Sequence, residues 1–154
     1  DPFAVLYVMD QEGWSTDEIR RQLNEEAGMF GISGVSGDLR DIEAAAMLGN
    51  KHAQLAMKTY FYGVKKYIGA YIAALSGVDV LAFAGGIGEK SSMARSAICN
   101  GLEWCGLRLS TERNENQKGE GEISAPNSRA KILVVATNEE MIVARETERV
   151  LSER

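Results

Sequence analysis

Apolar side chains recur at Ala53, Met57, Tyr60, Phe61, Val64, Tyr67, Ile68, Tyr71, Ile72 and Leu75, spacings that predict one long helix with a wide buried stripe. The pattern changes after Leu75. Val78 to Ala84 and Ala130 to Ala136 are short, nearly continuous apolar runs, as expected of strands covered on both faces of a parallel sheet. Each is followed by a turn signal and a helix: Gly85-Gly86-Ile87-Gly88-Glu89 before the segment Ser91 to Trp104, and Thr137-Asn138-Glu139-Glu140 before the segment to Leu151. Two strand–loop–helix units in one sheet put both loops at the carboxyl ends of their strands, where open α/β sheets bind ligands. The two loops are therefore candidates for one shared site.

Upstream, Phe3 to Met9 is apolar, and Ser15-Thr16-Asp17-Glu18 predicts a helix start in which Ser15 caps and Glu18 closes a capping box, with Gly28 as its end. Gly31-Ile32-Ser33-Gly34-Val35-Ser36-Gly37 has three glycines in seven residues and reads as a loop feeding a helix that begins near Asp38. Between the two βα units, Ser110 to Ser128 is polar, a surface excursion with a short strand near Glu122 to Ala125.

Composition narrows the function classes. A chain of 154 residues with a formal charge of −5 is expected to form one soluble domain, and its acidic balance argues against nucleic acid or an anionic membrane as partner. No apolar run reaches membrane-span length. Cys99 and Cys105, separated by five residues, match neither a zinc knuckle nor a Cys-x-x-Cys pair, and read as two reduced cysteines of a cytoplasmic protein. The first residue is Asp1 and no leader pattern follows, so the chain is expected to be cut from something longer.

The candidate chemistry sits in three short stretches. Gly85-Gly86-Ile87-Gly88-Glu89 can bring bare backbone close to a nucleotide, or be a tight turn with no ligand; it is neither a Gly-x-Gly-x-x-Gly fingerprint nor a P-loop. In Thr137-Asn138-Glu139-Glu140, Thr137 and Glu140 are accounted for as a capping box, which leaves Glu139. That carboxylate is either a solvated helix-start residue or a magnesium ligand. Asp38-Leu39-Arg40-Asp41 offers an N-cap with a surface ion pair, or an aspartate for hydroxyls beside a guanidinium for a base or phosphate. His52, the single histidine, has no nucleophile selecting it as a base and reads as structural or exposed.

Together these stretches resemble the acetate kinase family, which includes propionate kinases and belongs to the actin-like ATPase superfamily. The resemblance runs through Gly31 to Asp41, Phe83 to Glu89 with Ser91 and Arg95, and Thr137 to Glu140 with Ile142, Ala144 and Arg145, in order and over essentially the whole chain. It implies an α/β, ribonuclease-H-like domain over residues 1–154, the carboxy-terminal, nucleotide-binding domain of a kinase. That enzyme reversibly moves the γ-phosphoryl group of ATP to acetate or another short carboxylate, giving an acyl phosphate and ADP. By the resemblance, Asp38, Leu39 and Arg40, with Gly86, Ile87, Gly88, Glu89 and Lys90, surround the adenosine, and Glu139 is a Mg2+ ligand. It implies a homodimer too.

Two residues depart from the family's pattern: Lys90 stands where an Asn is usual, and Gly37 where a second Ser is usual. The family's phosphate-contacting Asn and Ser, substrate Arg, catalytic Asp and transition-state His all belong to an amino-terminal half with no counterpart in this chain. A further catalytic Arg lies in an Arg-Ser-Gly-Asp motif shortly before the Asp-Pro that matches Asp1-Pro2. The chain alone is thus expected to be inactive. A non-catalytic dimerisation module, or a kinase for propionate or a similar acid, remains as the alternative.

Overall fold

Side chains that accept backbone N–H groups start most of the helices, as the sequence leads one to expect where Ser and Asp precede them. The computed structural model describes residues 1–152, apart from the side chain of Glu139, and divides the chain into two compact units, Asp1–Gly63 and Val64 onward.

In the first unit, α1 (Pro2–Glu12) is capped by Asp1 and closed by Gly13 at φ +67°. Helix α2 (Thr16–Arg21) starts on Ser15, whose Oγ accepts the Glu18 N–H at 3.2 Å. The expected capping box is only half present, because the Glu18 carboxylate accepts from Arg21 and Gln22. A π-helical turn, Gln22–Glu26, follows, and α3 spans Gly28–Ser33. This corrects the expected glycine-rich loop, of which only Gly34–Gly37 is non-helical. Gly31 lies within α3, and a Cβ there would stand 2.8 Å from the Glu26 carbonyl oxygen, so only a residue without a side chain allows this close backbone approach. Ser33, buried, accepts the Val35 and Ser36 N–H groups and ties down the turn that leads to α4 (Leu39–Met47). Ile42 of α4 packs with Ala53 and Ala56 of α5 (Lys51–Ala74), all at 0% exposure, with Met29, Ile32 and Met57 around them.

The expected long helix is α5, but its stripe is not buried throughout. Phe61 and Ile72 are buried, whereas Tyr67, Tyr71 and Leu75 are two-thirds or more exposed, so the aromatic row of the last turns faces outward. His52 is exposed.

In the second unit, β1 (Val80–Phe83), β2 (Gly121–Glu122) and β3 (Lys131–Val134) form a sheet in the order β1-β3-β2. β1 and β3 are parallel, with Phe83 opposite Val134, and β2 runs antiparallel to β3. The parallel pair matches the sequence pattern, while the short strand expected near Glu122 to Ala125 is found one residue earlier, at Gly121–Glu122, with Ser124 in an isolated bridge to Leu109. Coverage on both faces does not match it: Phe83 is buried and Leu81 half-buried, while Val80 and Ala82 on the opposite face are exposed. The apolar run of β1 thus exceeds what the described residues of this unit cover. The sheet carries α6 (Gly85–Lys90), α7 (Ser92–Cys99), a 3-10 turn (Glu103–Cys105) and α8 (Thr111–Asn116), and β3 leads into α9 (Glu139–Ser152). Ile98, Leu102, Leu107, Ile123, Ile132 and Val134 are, with Phe83, among its buried apolar residues. Cys99 and Cys105 are both free thiols.

Ile132 is fully buried in the central strand. Ile132→Ala should lower stability by about 2–5 kcal/mol, read as a shift of the urea-unfolding midpoint; a shift worth under about 1 kcal/mol would contradict this placement of the core.

Candidate functional site

The first βα loop is itself a short helix. β1 ends at Phe83, Ala84 is the N-cap, and Gly85 turns the chain at φ +71° so that α6 begins at once. Gly88 then lies over the strand it has just left. A Cβ on it would stand 3.2 Å from the Phe83 carbonyl carbon, so the residue must be small for α6 to seat on β1. Ser91 ends α6 and caps α7, its Oγ accepting the Ala94 N–H at 3.1 Å.

What holds α6 in place is Arg95 of α7, at 2% exposure. Its Nη1 donates to the carbonyls of Gly88 and Glu89 at 2.9 and 2.8 Å, at the carboxyl end of α6, where a cation also meets the negative end of the helix dipole. Nε donates to Asn114 Oδ1 at 2.7 Å and Nη2 to the Asn114 carbonyl at 3.0 Å, while the buried Asn114 amide donates to the Ser92 carbonyl. All these acceptors are neutral. Burial lowers the Arg95 pKa from its ordinary value, yet a guanidinium stays charged. The sequence marked Arg95 only as part of the motif. Nothing in the pattern flagged Asn114, nineteen positions downstream.

The second loop is tied to the first by one carboxylate. Glu89 Oε1 accepts both the N–H of Thr137, at 3.0 Å, and its hydroxyl, at 2.8 Å. These two bonds, with the Gly85 N–H adding to them, lower the Glu89 pKa. The expected capping box of Thr137 and Glu140 is overturned for the same reason: the Thr137 hydroxyl is engaged by Glu89, and Asn138 Oδ1 caps α9 by accepting the Met141 N–H at 3.0 Å. Glu139 is the first residue of α9, and its side chain lies outside the described residues. Gly86 and Lys90 are exposed, and Ile87 and Gly88 half-buried.

Asp38, Leu39 and Arg40 belong to the first unit. Asp38 is the N-cap of α4, its Oδ1 accepting the Arg40 N–H at 2.8 Å. The Arg40 guanidinium folds back on the same carboxylate, Nη2 to Oδ2 at 2.5 Å and Nε to Oδ1 at 3.0 Å. The guanidinium first, and the backbone N–H after it, bring the Asp38 pKa down to about 2. Leu39 is buried.

Among the described residues no three His, Cys, Asp or Glu side chains gather into a metal cage. A cleft of about 730 Å³ between α7 and α8, lined by Ser96, Asn100, Arg108, Thr111 and Glu115 among others, includes none of the residues of the two loops.

A model of the acetokinase family matches residues 1–145. The chain belongs to the acetokinase family. It is 47% identical over 154 residues to an acetate kinase of Dictyoglomus turgidum, covering all of this chain and 38% of that protein. A crystal structure of Porphyromonas gingivalis acetate kinase superposes with a TM-score of 0.87 at 43% identity, over 98% of this chain and 38% of that one. A propionate kinase from Francisella tularensis gives 0.83 at 36% identity, over 95% and 37%. The chain therefore spans less than two-fifths of the length of these acetokinase relatives, and its mixed α/β arrangement is that of their actin-like ATPase fold. No helix among the described residues is long and apolar enough to cross a membrane.

Two outcomes follow for the site. Glu89 has a lowered pKa, so the bond to Thr137 is fully formed above the ordinary carboxylate range and is lost as pH falls through the lowered value. The Thr137 amide resonance should titrate below the ordinary carboxylate range, with Glu89, and that of Arg40 should follow Asp38, brought down from 3.8 to about 2. Arg95→Met should cost about 2–4 kcal/mol by leaving buried carbonyls without donors, measured by urea unfolding; a near-neutral result would contradict the role given to Arg95.

Proposed function

We propose that this chain is the nucleotide-binding half of an acetate kinase, which reversibly transfers the γ-phosphoryl group of ATP to acetate. The observation that carries the reading is the Glu89–Thr137 contact: it joins the two motif-bearing loops at the carboxyl ends of adjacent parallel strands. In this reading the backbone of Gly86, Ile87, Gly88, Glu89 and Lys90 borders the adenosine, with α6 held by Arg95. Asp38, Leu39 and Arg40 supply the other adenosine contacts, Arg40 exchanging the Asp38 carboxylate for the nucleotide. Lys90 brings a flexible cation that only donates.

Magnesium fits such a site through one carboxylate, Glu139, with phosphate oxygens and water completing its shell. When bound, the ion neutralises phosphate charge. The chain's own residues orient the nucleotide, which is most of what phosphoryl transfer asks of a protein. ATP and ADP are thus its ligands, the short carboxylate binds through the remainder of the enzyme, and the enzyme is cytoplasmic.

A second reading, a dimerisation module, is favoured by the exposed row of Tyr67 and Tyr71 on α5 with Leu75 just past its end. In the family reading this surface makes the homodimer, and propionate remains an alternative substrate.

Chemical-shift mapping of the purified chain with ADP should move Asp38 to Arg40 and Gly86 to Lys90, with no acetate-dependent ATP turnover. A dimer in sedimentation with no ADP response would favour the association module instead, and turnover by the chain alone would overturn the division of labour.

A further inference from the structure

Successive N–H groups along an extended strand point to opposite sides, so the end of a central strand shows which groups take over when its neighbours stop. Past β3, the Val135 N–H donates to the Phe83 carbonyl at 2.9 Å, the last bond to β1. The Ala136 N–H points the other way, beyond the start of β2, and meets Glu120 Oε1 at 3.1 Å. The Thr137 N–H points back to the β1 side, where the chain has already turned into α6, and meets Glu89 Oε1. Two carboxylates thus replace two missing backbone acceptors, one on each side of the same segment.

We infer that Glu89 and Glu120 form a clamp that positions the segment Ala136 to Glu139, and through it the carboxylate proposed to hold magnesium. The inference rests on the reading of Glu139 given above. Charge-assisted bonds from two separate elements fix consecutive peptide planes, and Asn138 then sets the first turn of α9. Glu120 comes from the turn before β2, where Gly119 at φ +70° and the Gln117 amide, donating to the Gly119 carbonyl, hold the chain. No motif marked it. Both clamp residues are positioning residues, and their carboxylates, once engaged by N–H groups, place less unpaired negative charge beside phosphate.

The test compares Glu120→Ala, Glu120→Gln and Glu139→Ala in the full-length kinase that carries this segment. Two readouts are used: ADP affinity with and without Mg2+, by calorimetry, and amide exchange at Ala136 with Ile132 as an internal control. Glu120→Ala should cut the Mg2+-dependent gain in ADP affinity about tenfold, leave metal-free ADP affinity unchanged, and speed exchange at Ala136 but not at Ile132. Glu120→Gln keeps a carbonyl acceptor and should restore both. If Glu139→Ala removes the Mg2+ gain and Glu120→Ala does not, the clamp is wrong and the Glu139 reading stands. If Glu139→Ala changes nothing, that reading fails and the clamp fails with it. If Glu120→Gln is as damaging as Glu120→Ala, the carboxylate meets the metal itself, and the clamp is again overturned.

Discussion

A single buried guanidinium organises the second unit. Arg95 spends its donors on the carbonyls of Gly88 and Glu89 and on both acceptors of Asn114, so three helices, α6, α7 and α8, meet at one side chain. An isolated six-residue helix containing three glycines has little tendency to form, since nucleation is costly and glycine carries the largest backbone entropy. Arg95 supplies what α6 lacks, a donor set for its last carbonyls. With α6 fixed, Glu89 is aimed across the sheet at Thr137, and the second loop takes its position from the first.

The two carboxylate-bearing stretches named by their motifs use acids in different ways. Asp38 is satisfied locally, by a backbone N–H and a guanidinium two positions on, a pair that is exposed and worth little to stability. Glu89 is satisfied by a residue 48 positions away. The first fixes the start of one helix, whereas the second fixes the relation of two loops. A change of charge at Asp38 is therefore a local event, and one at Glu89 is felt in the backbone that precedes α9.

Much of this was legible in the residue pattern, and the failures share a cause. The parallel strands, the helix starts at Ser15 and Asp38 and the length of α5 rest on local periodicity and capping, which short stretches encode. Gly85 to Glu89 reads as a loop because its glycines carry no local preference for helix; Arg95 decides the matter from the next helix. Thr137 reads as an N-cap because its hydroxyl has the right chemistry, but Glu89 competes for it and Asn138 takes the role. Glu120 carries no signal at all, since its partner is a backbone N–H exposed only where a strand ladder runs out. Exposure of Tyr67 and Tyr71 likewise could not be read from periodicity, which marks an apolar face without saying what covers it.

The sheet order has one more consequence. With β1 at one edge among the described residues, its outward N–H and C=O groups join no strand ladder, and Val80, 49% exposed, and Ala82 stand beside them. An apolar strand with a free edge is a template for any other strand that reaches it. The β1 side of the sheet is therefore where association between copies through strand pairing would begin. The ligand loops, at the strand ends, lie off that edge.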